Sequence, residues 1–188
     1  MAFIGVITSI KNEEVLKKAI EDILQSNTSN HNVIIINKEN IDNMKNIKFN
    51  SIIINKENNI KESKKIVLKQ ILKNAKYLII NSDIYTKLDI IYNLNITVIT
   101  FGYNLKATLT ASSVNDERIL LCLQRNIEVD NKIKIEPKEI LAKVVENDVY
   151  TTMAVNIVRL LYWQKNIQKV TFFKKNAILC RQTPGNVV

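Results

Sequence analysis

The sequence predicts an α/β fold, in which a mostly parallel sheet flanked by helices is followed by a small antiparallel sheet and a long helix. Up to Gly102, apolar runs of strand length alternate with segments of helical periodicity, which is typical of βαβ units. After Gly102, consecutive strand-like runs follow without a helix between them, which indicates an antiparallel meander. The 188 residues suit one domain, 1–188, and no Gly/Ser-rich linker divides them.

The parallel part is predicted to span residues 1–102. Its strands carry continuous Val/Ile runs, as expected when helices cover both faces of a sheet: Ala2 to Thr8, Asn32 to Asn37, Ser51 to Asn55, Lys76 to Ile80 and Ile96 to Phe101. The helices that alternate with these strands are Asn12 to Gln25, Lys61 to Asn74 and Tyr85 to Leu94. Asn12 is available to cap the first helix, and the second has the predicted apolar stripe Ile66, Val67, Ile71 and Leu72.

The remaining residues divide into a meander over 103–145 and a helical end over 146–188. The meander has three predicted strands, Thr108 to Val114, Ile119 to Arg125 and Lys132 to Ile135, with Pro137 ending the last. A long amphipathic helix follows from Asp148 to Trp163. Val170 to Phe173 and Ala177 to Cys180 are predicted to pair as a terminal hairpin.

The net charge of +9 is a weak argument for nucleic-acid binding, because Ile, Asn and Lys are abundant together and AT-rich codons specify all three. A nucleic-acid partner is therefore not expected. One stretch still stands out, since it contains six basic residues and no acidic one. These residues form a candidate surface for an anionic partner: Arg159, Lys165, Lys169, Lys174, Lys175 and Arg181.

The chain is expected to be cytoplasmic, with no membrane insertion. No apolar run reaches the roughly 18 residues that span a bilayer, and the amino terminus lacks a basic region followed by an apolar stretch. A single histidine, His31, and two cysteines form no zinc-binding cluster and no serine or cysteine triad of the usual kind. We therefore expect no metal, no cofactor and no catalytic residue of these types.

Three consecutive motifs resemble the central, ATP-binding domain of the Mur ligases, which add amino acids to peptidoglycan precursors. They are a strand ending in Asn-Ser-Asp, an Ile-Thr-Phe-Gly-like strand and an Ala-x-Leu-x-Ala-Ser pattern, at Tyr77 to Asp83, Ile96 to Gly102 and Ala107 to Ser113. The family's next helix corresponds to the segment that begins at Asn147. The resemblance covers roughly residues 76–163 and reaches the first 75 only through topology. It implies a Rossmann-like, nucleotide-binding fold.

The departures from the family pattern concern nucleotide binding. A Mur ligase has a Gly-x-x-Gly-Lys-Thr-Thr loop after its first strand, because backbone amides and a lysine must surround the triphosphate. Here the segment Thr8 to Glu14 contains no glycine. The family positions expected to contact adenine fall on Asp148 and Thr151 instead of asparagines, and the preceding histidine position is Asn147. The magnesium-binding patterns are not recognisable either, so the resemblance implies a degenerate domain without the phosphate-binding loop.

The leading hypothesis is a non-catalytic, Mur-ligase-like binding or scaffold domain linked to cell-wall precursor metabolism. The alternative is an enzyme or sensor that binds a nucleotide or nucleotide-sugar at the carboxyl ends of the parallel strands. The partner is then a nucleotide, a cell-wall precursor or another protein. The candidate ligand-binding residues are Thr8, Ser9, Lys11, Asn37, Asn55, Asn81, Asp83, Asp148 and Thr151. For two of them the sequence favours a structural role over ligand contact: Asn81 and Asp83 end a strand and can cap the next helix.

Overall fold

A computed structural model describes residues 2–25, 31–56, 62–84, 91–129 and 133–162. These residues form ten strands and three α-helices. In chain order the elements are β1 (Ala2–Ile7), α1 (Glu13–Gln25), β2 (His31–Ile35), β3 (Phe49–Ile54), α2 (Glu62–Lys73), β4 (Tyr77–Asn81), β5 (Thr97–Phe101), β6 (Leu109–Val114), β7 (Arg118–Leu123), β8 (Ile127–Val129), β9 (Ile133–Ile135), β10 (Lys138–Lys143) and α3 (Val149–Tyr162). Single 3-10 turns at Ile10–Asn12 and Ile41–Met44 complete the set.

Eight of the strands form one sheet, in the order β10-β7-β6-β5-β4-β3-β1-β2. The strands from β2 to β6 run parallel, and β7 and β10 extend the sheet as antiparallel strands. The remaining two strands, β8 and β9, form a separate antiparallel pair. Strand order reverses between β1 and β3, so the crevice at their carboxyl ends is the place where open α/β sheets usually bind ligands.

Helices cover both faces of the parallel part of the sheet. Alternate residues of each buried strand enter two apolar clusters, one packed beneath α1 and α3 and the other beneath α2 and the 41–44 turn. Strands β3 and β4 are buried along almost their whole length, and their sequences therefore contain continuous runs of Ile and Leu. No described helix is long and apolar enough to cross a membrane.

The coarse fold prediction is confirmed: the chain has an α/β fold with a mostly parallel sheet, a small antiparallel sheet and a carboxy-terminal helix. The five strands predicted to be parallel, β1 to β5, lie within a few residues of their predicted bounds, and so do α1, α2 and α3. Residues 85–90, which hold most of the predicted helix Tyr85 to Leu94, and the predicted terminal hairpin lie outside the described residues.

The meander differs from the prediction in three ways. Its first strand, β6, pairs parallel with β5 and therefore belongs to the parallel part of the main sheet. The predicted strand Lys132 to Ile135 pairs with β8 in the small sheet and not with its neighbours in the meander. Pro137 does end that strand, but the chain resumes at once as β10, which the sequence did not predict and which pairs with β7.

The predicted stripe of α2 is also wrong at one position. Ile66 is 69% exposed, and the buried residue beside Val67 is Leu68, which is 5% exposed. Both assignments fit a helical period, so the tertiary contacts decide which of them faces the sheet.

Candidate functional site

Three polar residues line up across the carboxyl ends of β1, β3 and β4. Thr8 follows β1, Asn55 follows β3, and Asn81 ends β4. Since Ile7 pairs with Ile54 and Ile54 pairs with Ile80, Thr8, Asn55 and Asn81 stand at equivalent positions on adjacent strands. All three are fully buried, at 0% exposure. We call Thr8, Asn55 and Asn81 the polar row.

The polar row is only partly satisfied by hydrogen bonds. Asn55 Nδ2 donates to Thr151 Oγ1 at 3.2 Å, and Asn81 Oδ1 accepts the backbone amide of Asp83 at 3.0 Å. Thr8 Oγ1, Asn55 Oδ1 and Asn81 Nδ2 have no hydrogen-bond partner among the described residues. A buried polar atom without a partner costs roughly 1–3 kcal/mol, so three in one row are an unusual concentration.

Asp148 lies at the amino end of α3 and binds groups from three segments of the chain. Its Oδ1 accepts the backbone amides of Tyr150 at 3.1 Å and Thr151 at 3.3 Å, which caps the helix. Its Oδ2 accepts Lys56 Nζ at 2.6 Å, Asn12 Nδ2 at 2.7 Å and Thr151 Oγ1 at 3.0 Å. We call Asp148, Lys56, Asn12 and Thr151 the Asp148 network.

The Asp148 carboxylate is ionised at neutral pH. Burial is the largest influence on its pKa and raises it, but hydrogen bonds from Lys56 and Thr151, together with the charge of Lys56, outweigh burial and lower the pKa from 3.8. The side chains of Lys56 and Asp148 are 31% and 14% exposed, so the ion pair is partly shielded from water. A paired carboxylate and ammonium therefore close this part of the carboxyl edge.

The Asp83 carboxylate lies at the same edge of the sheet, between the end of β4 and the turn after β5. Its carboxylate accepts the backbone amides of Tyr103 at 2.6 Å and Asn104 at 3.0 Å, and the Tyr150 hydroxyl at 3.2 Å. Burial, followed by the charge of Asp83, raises the pKa of that hydroxyl, which therefore keeps the proton it donates. The predicted helix that Asp83 was expected to cap lies outside the described residues, and the turn after β5 is what its carboxylate stabilises.

Gly102 allows this turn to approach Asp83. Its φ is +151°, and a Cβ at this position would lie 2.6 Å from Asp83 Oδ1. The turn after β5 therefore depends on the missing side chain of Gly102 for both backbone conformation and space.

The other predicted ligand residues have local roles. Ser9 Oγ donates to Asn12 Oδ1 at 3.2 Å, and Lys11 is exposed in the 3-10 turn. Asn37 Oδ1 accepts the backbone amides of Glu39 and Asn40, which is an Asx turn at the end of β2. These three residues contribute no side chain to the polar row.

The structure therefore brings together five of the predicted residues at one edge, namely Thr8, Asn55, Asn81, Asp148 and Thr151, with Asp83 joined to them through Tyr150. It adds Asn12, Lys56 and Tyr150, which the sequence did not assign to a site. Asn12 was expected to cap the first helix, but its amide donates to Asp148 instead. Lys56 had one usable signal, since it directly follows a predicted strand that ends in asparagine.

The amino end of α1 carries two carboxylates, as its sequence suggests. Glu13 and Glu14 occupy the first turn, where negative charge complements the helix dipole. Burial, then the neighbouring charges of Glu14 and Glu39, raises the pKa of Glu13. An incoming phosphate would meet these carboxylates at the helix end that it would otherwise favour.

The candidate anionic-partner surface is mostly beyond the part of the chain that the structure describes. Arg159 lies exposed on α3. The other five residues, Lys165, Lys169, Lys174, Lys175 and Arg181, lie outside the described residues. This surface therefore stays a prediction.

Surface depressions occur away from the carboxyl edge. One of about 370 Å³ lies between β7 and β10, near Glu117 and Leu141, and one of about 320 Å³ lies at the amino ends of β4 and β5, near Thr97. Neither contains a cluster of hydrogen-bonded polar side chains comparable to the Asp148 network, so the carboxyl edge remains the stronger candidate. Within the described ranges, no group of three or more His, Cys, Asp or Glu residues could hold a metal ion.

Comparison with models of known protein families gives no match for this chain. A comparison with curated protein sequences gives no match either.

Proposed function

We propose that this chain is a non-catalytic binding or scaffold domain of Mur-ligase-like type, linked to cell-wall precursor metabolism. The Asp148 network is the observation that supports the proposal that this domain is not catalytic. Asp148 Oδ2 holds Lys56 and Asn12 at 2.6 and 2.7 Å beside the crevice between β1 and β3. An ion pair within the protein thus takes the position where a ligand would need free polar groups.

Both helix ends at this edge are unsuited to phosphate. The first amides of α3 are already bonded to the Asp148 carboxylate, and the first turn of α1 carries Glu13 and Glu14. A triphosphate there would face like charges at short range, and it would have to displace Asp148 from its ammonium partner. These costs favour the scaffold hypothesis over the nucleotide-binding alternative.

The link to cell-wall precursors rests on the resemblance in sequence. Two features of the structure are compatible with it: the turn at Asn81 to Asp83 packs on the turn at Gly102, and α3 begins where the family's nucleotide-contacting helix is expected. Neither feature requires a bound nucleotide, since Asp83 bonds to backbone amides of its own chain.

A thermal-shift series with the full chain tests the proposal. ATP, ADP and a UDP-sugar peptide precursor are each added over a concentration range. Binding at 100 times the dissociation constant would add about 2.7 kcal/mol of stability, or roughly 5–10 °C for a chain of this size. We expect no shift with ATP or ADP, whereas a shift with the precursor supports a binding role and its absence leaves the scaffold role.

The matched variant is Glu13→Gln with Glu14→Gln, which removes the carboxylates at the start of α1. We expect this variant to fold and still not to bind ATP, because the glycine-rich loop is absent from Thr8 to Glu14. ATP hydrolysis by the unmodified protein, amino-acid ligation to the precursor, or ATP-induced chemical-shift changes centred on Ser9 to Glu14 would each overturn the non-catalytic proposal.

A further inference from the structure

The three side chains of the polar row face the same side of the sheet. The residues two positions before them in their strands belong to the cluster beneath α1 and α3: Val6, Ile53 and Ile79. Because side chains alternate along a strand, Thr8, Asn55 and Asn81 also project toward that side. The bond from Asn55 to Thr151 on α3 agrees with this direction.

The unused hydrogen-bonding capacity of the row is mixed. Thr8 Oγ1 can donate and accept, Asn55 Oδ1 can accept, and Asn81 Nδ2 can donate. The Asn81 orientation is fixed, because its oxygen accepts the Asp83 amide. The free atoms thus offer complementary partners to a group that both donates and accepts.

The spacing of the row suits small bridging groups. Neighbouring strands lie about 4.8 Å apart, so an atom placed between two adjacent members can reach both at ordinary hydrogen-bond distances. Each of the three atoms has almost no exposed surface, so bulk water does not satisfy it. Buried polar groups in native proteins are nearly always bonded to protein or to a bound molecule.

The surroundings select a neutral occupant. Two charges at this edge, Lys56 and Asp148, already neutralise each other at 2.6 Å. A third, the Asp83 carboxylate, is held by the backbone amides of Tyr103 and Asn104. A bound anion would meet the Asp148 carboxylate, and a bound cation would meet the Lys56 ammonium and the amide hydrogens of Asn81. A neutral group has neither conflict.

We propose that Thr8, Asn55 and Asn81 form a buried binding site for small neutral groups that both donate and accept hydrogen bonds. Water molecules and the hydroxyl or amide groups of a small organic compound share this chemistry. The site is joined to the Asp148 network by the hydrogen bond from Asn55 to Thr151. It does not depend on the proposed scaffold role, since a catalytic or a non-catalytic protein would fill it for the same reason.

A high-resolution crystal structure of the full chain gives the direct test. We expect electron density within about 2.7–3.2 Å of Thr8 Oγ1, Asn55 Oδ1 and Asn81 Nδ2. Separate spherical peaks identify water, whereas continuous density, with a compound released on denaturation and detected by mass spectrometry, identifies an organic ligand. A row without neighbouring density, or with the three side chains bonded to one another, would show the proposal to be wrong.

A matched pair of substitutions gives a second test in solution. Thr8→Ser keeps the hydroxyl, while Thr8→Val keeps the shape and removes it. If an occupant bonds to the hydroxyl, Thr8→Val melts about 2–4 °C below wild type, the shift that loss of one ordinary hydrogen bond causes in a chain of this size. Thr8→Ser keeps the hydroxyl and loses only a buried methyl group, so it measures the packing cost separately. An equal or higher melting temperature for Thr8→Val contradicts the proposal, because removing a hydroxyl that truly has no partner relieves a cost.

Discussion

Asp148→Asn separates the two functions of the Asp148 side chain. Asparagine keeps an oxygen that can accept the amides of Tyr150 and Thr151, so the helix cap is retained. The second oxygen becomes an NH₂ group, which then faces the three groups that donated to it: Lys56 Nζ, Asn12 Nδ2 and Thr151 Oγ1. The substitution therefore breaks the ion pair and places an amide donor opposite the donors Lys56 Nζ and Asn12 Nδ2.

The expected loss of stability follows from the burial of the pair. Breaking a fully buried pair costs about 3–5 kcal/mol, and an exposed pair contributes about 0–1 kcal/mol. The side chains of Lys56 and Asp148 are 31% and 14% exposed, which places this pair between those limits. We expect Asp148→Asn to lower the free energy of unfolding by about 2 kcal/mol, or the melting temperature by about 4–8 °C.

The dependence on pH distinguishes this explanation from a simple packing defect. The folded-state pKa of Asp148 is lowered from 3.8, so its contribution is complete above the unfolded-state value and is lost as pH falls through the folded-state pKa. Urea denaturation at pH 7, 5, 4 and 3 should therefore show the gap between wild type and variant narrowing below about pH 4. A gap that stays constant would refute the reasoning. Asp42→Asn, which breaks an exposed pair with Lys64, is the control and should cost less.

Other substitutions test the core and two further titrating groups. Leu68→Ala should lose about 2–5 kcal/mol in urea denaturation, while the neighbouring Ile66→Ala should change stability by less than about 0.5 kcal/mol, because only Leu68 is buried. Burial raises the pKa of Tyr162 to about 12, so the stability from its protonated hydroxyl is complete below pH 10 and is lost as pH rises from 10 through about 12. An alkaline absorbance titration of Tyr162→Phe should accordingly lack the last tyrosine step. The pKa of Glu13 is raised, so its ionisation weakens the fold as pH rises, and Glu13→Gln should gain stability relative to wild type between pH 4 and 7.

The parallel half of the fold could be predicted because its strands are buried on both faces. Such strands need a continuous apolar run, and the Ile runs of β3 and β4 supply it with polar residues at each end. The ends of these strands were predictable because each apolar run stops at a polar residue. Since parallel strands end at the same edge of a sheet, Asn55 and Asn81 could be placed at that edge.

Strand β10 could not be predicted in the same way. Its sequence, Lys-Glu-Ile-Leu-Ala-Lys, consists mainly of residues that favour helices, and it directly follows Pro137. Its extended conformation comes from pairing with β7 in an antiparallel register from Lys138 opposite Leu123 to Lys143 opposite Arg118. Whether a segment forms a strand depends strongly on the strand it pairs with, and the local sequence of β10 does not show that this strand is β7.

The Asp148 network could not be predicted from the sequence, because its members lie far apart along the chain. Lys56 and Asp148 are separated by 92 positions, and nothing local to either predicts a contact at 2.6 Å. The sequence did mark Asp148 as a departure, since the resemblance leads to an asparagine there.

The geometry gives this departure a physical consequence. An asparagine at position 148 would leave the Lys56 ammonium without its carboxylate, so aspartate at 148 and lysine at 56 stabilise each other. Restoring the asparagine alone would therefore lower stability and leave an unpaired positive charge beside the crevice, still with no glycine-rich loop to hold a phosphate. A phosphate-binding site at this edge would need a glycine-rich loop as well as changes at positions 148 and 56, so single substitutions here should cost stability without producing activity.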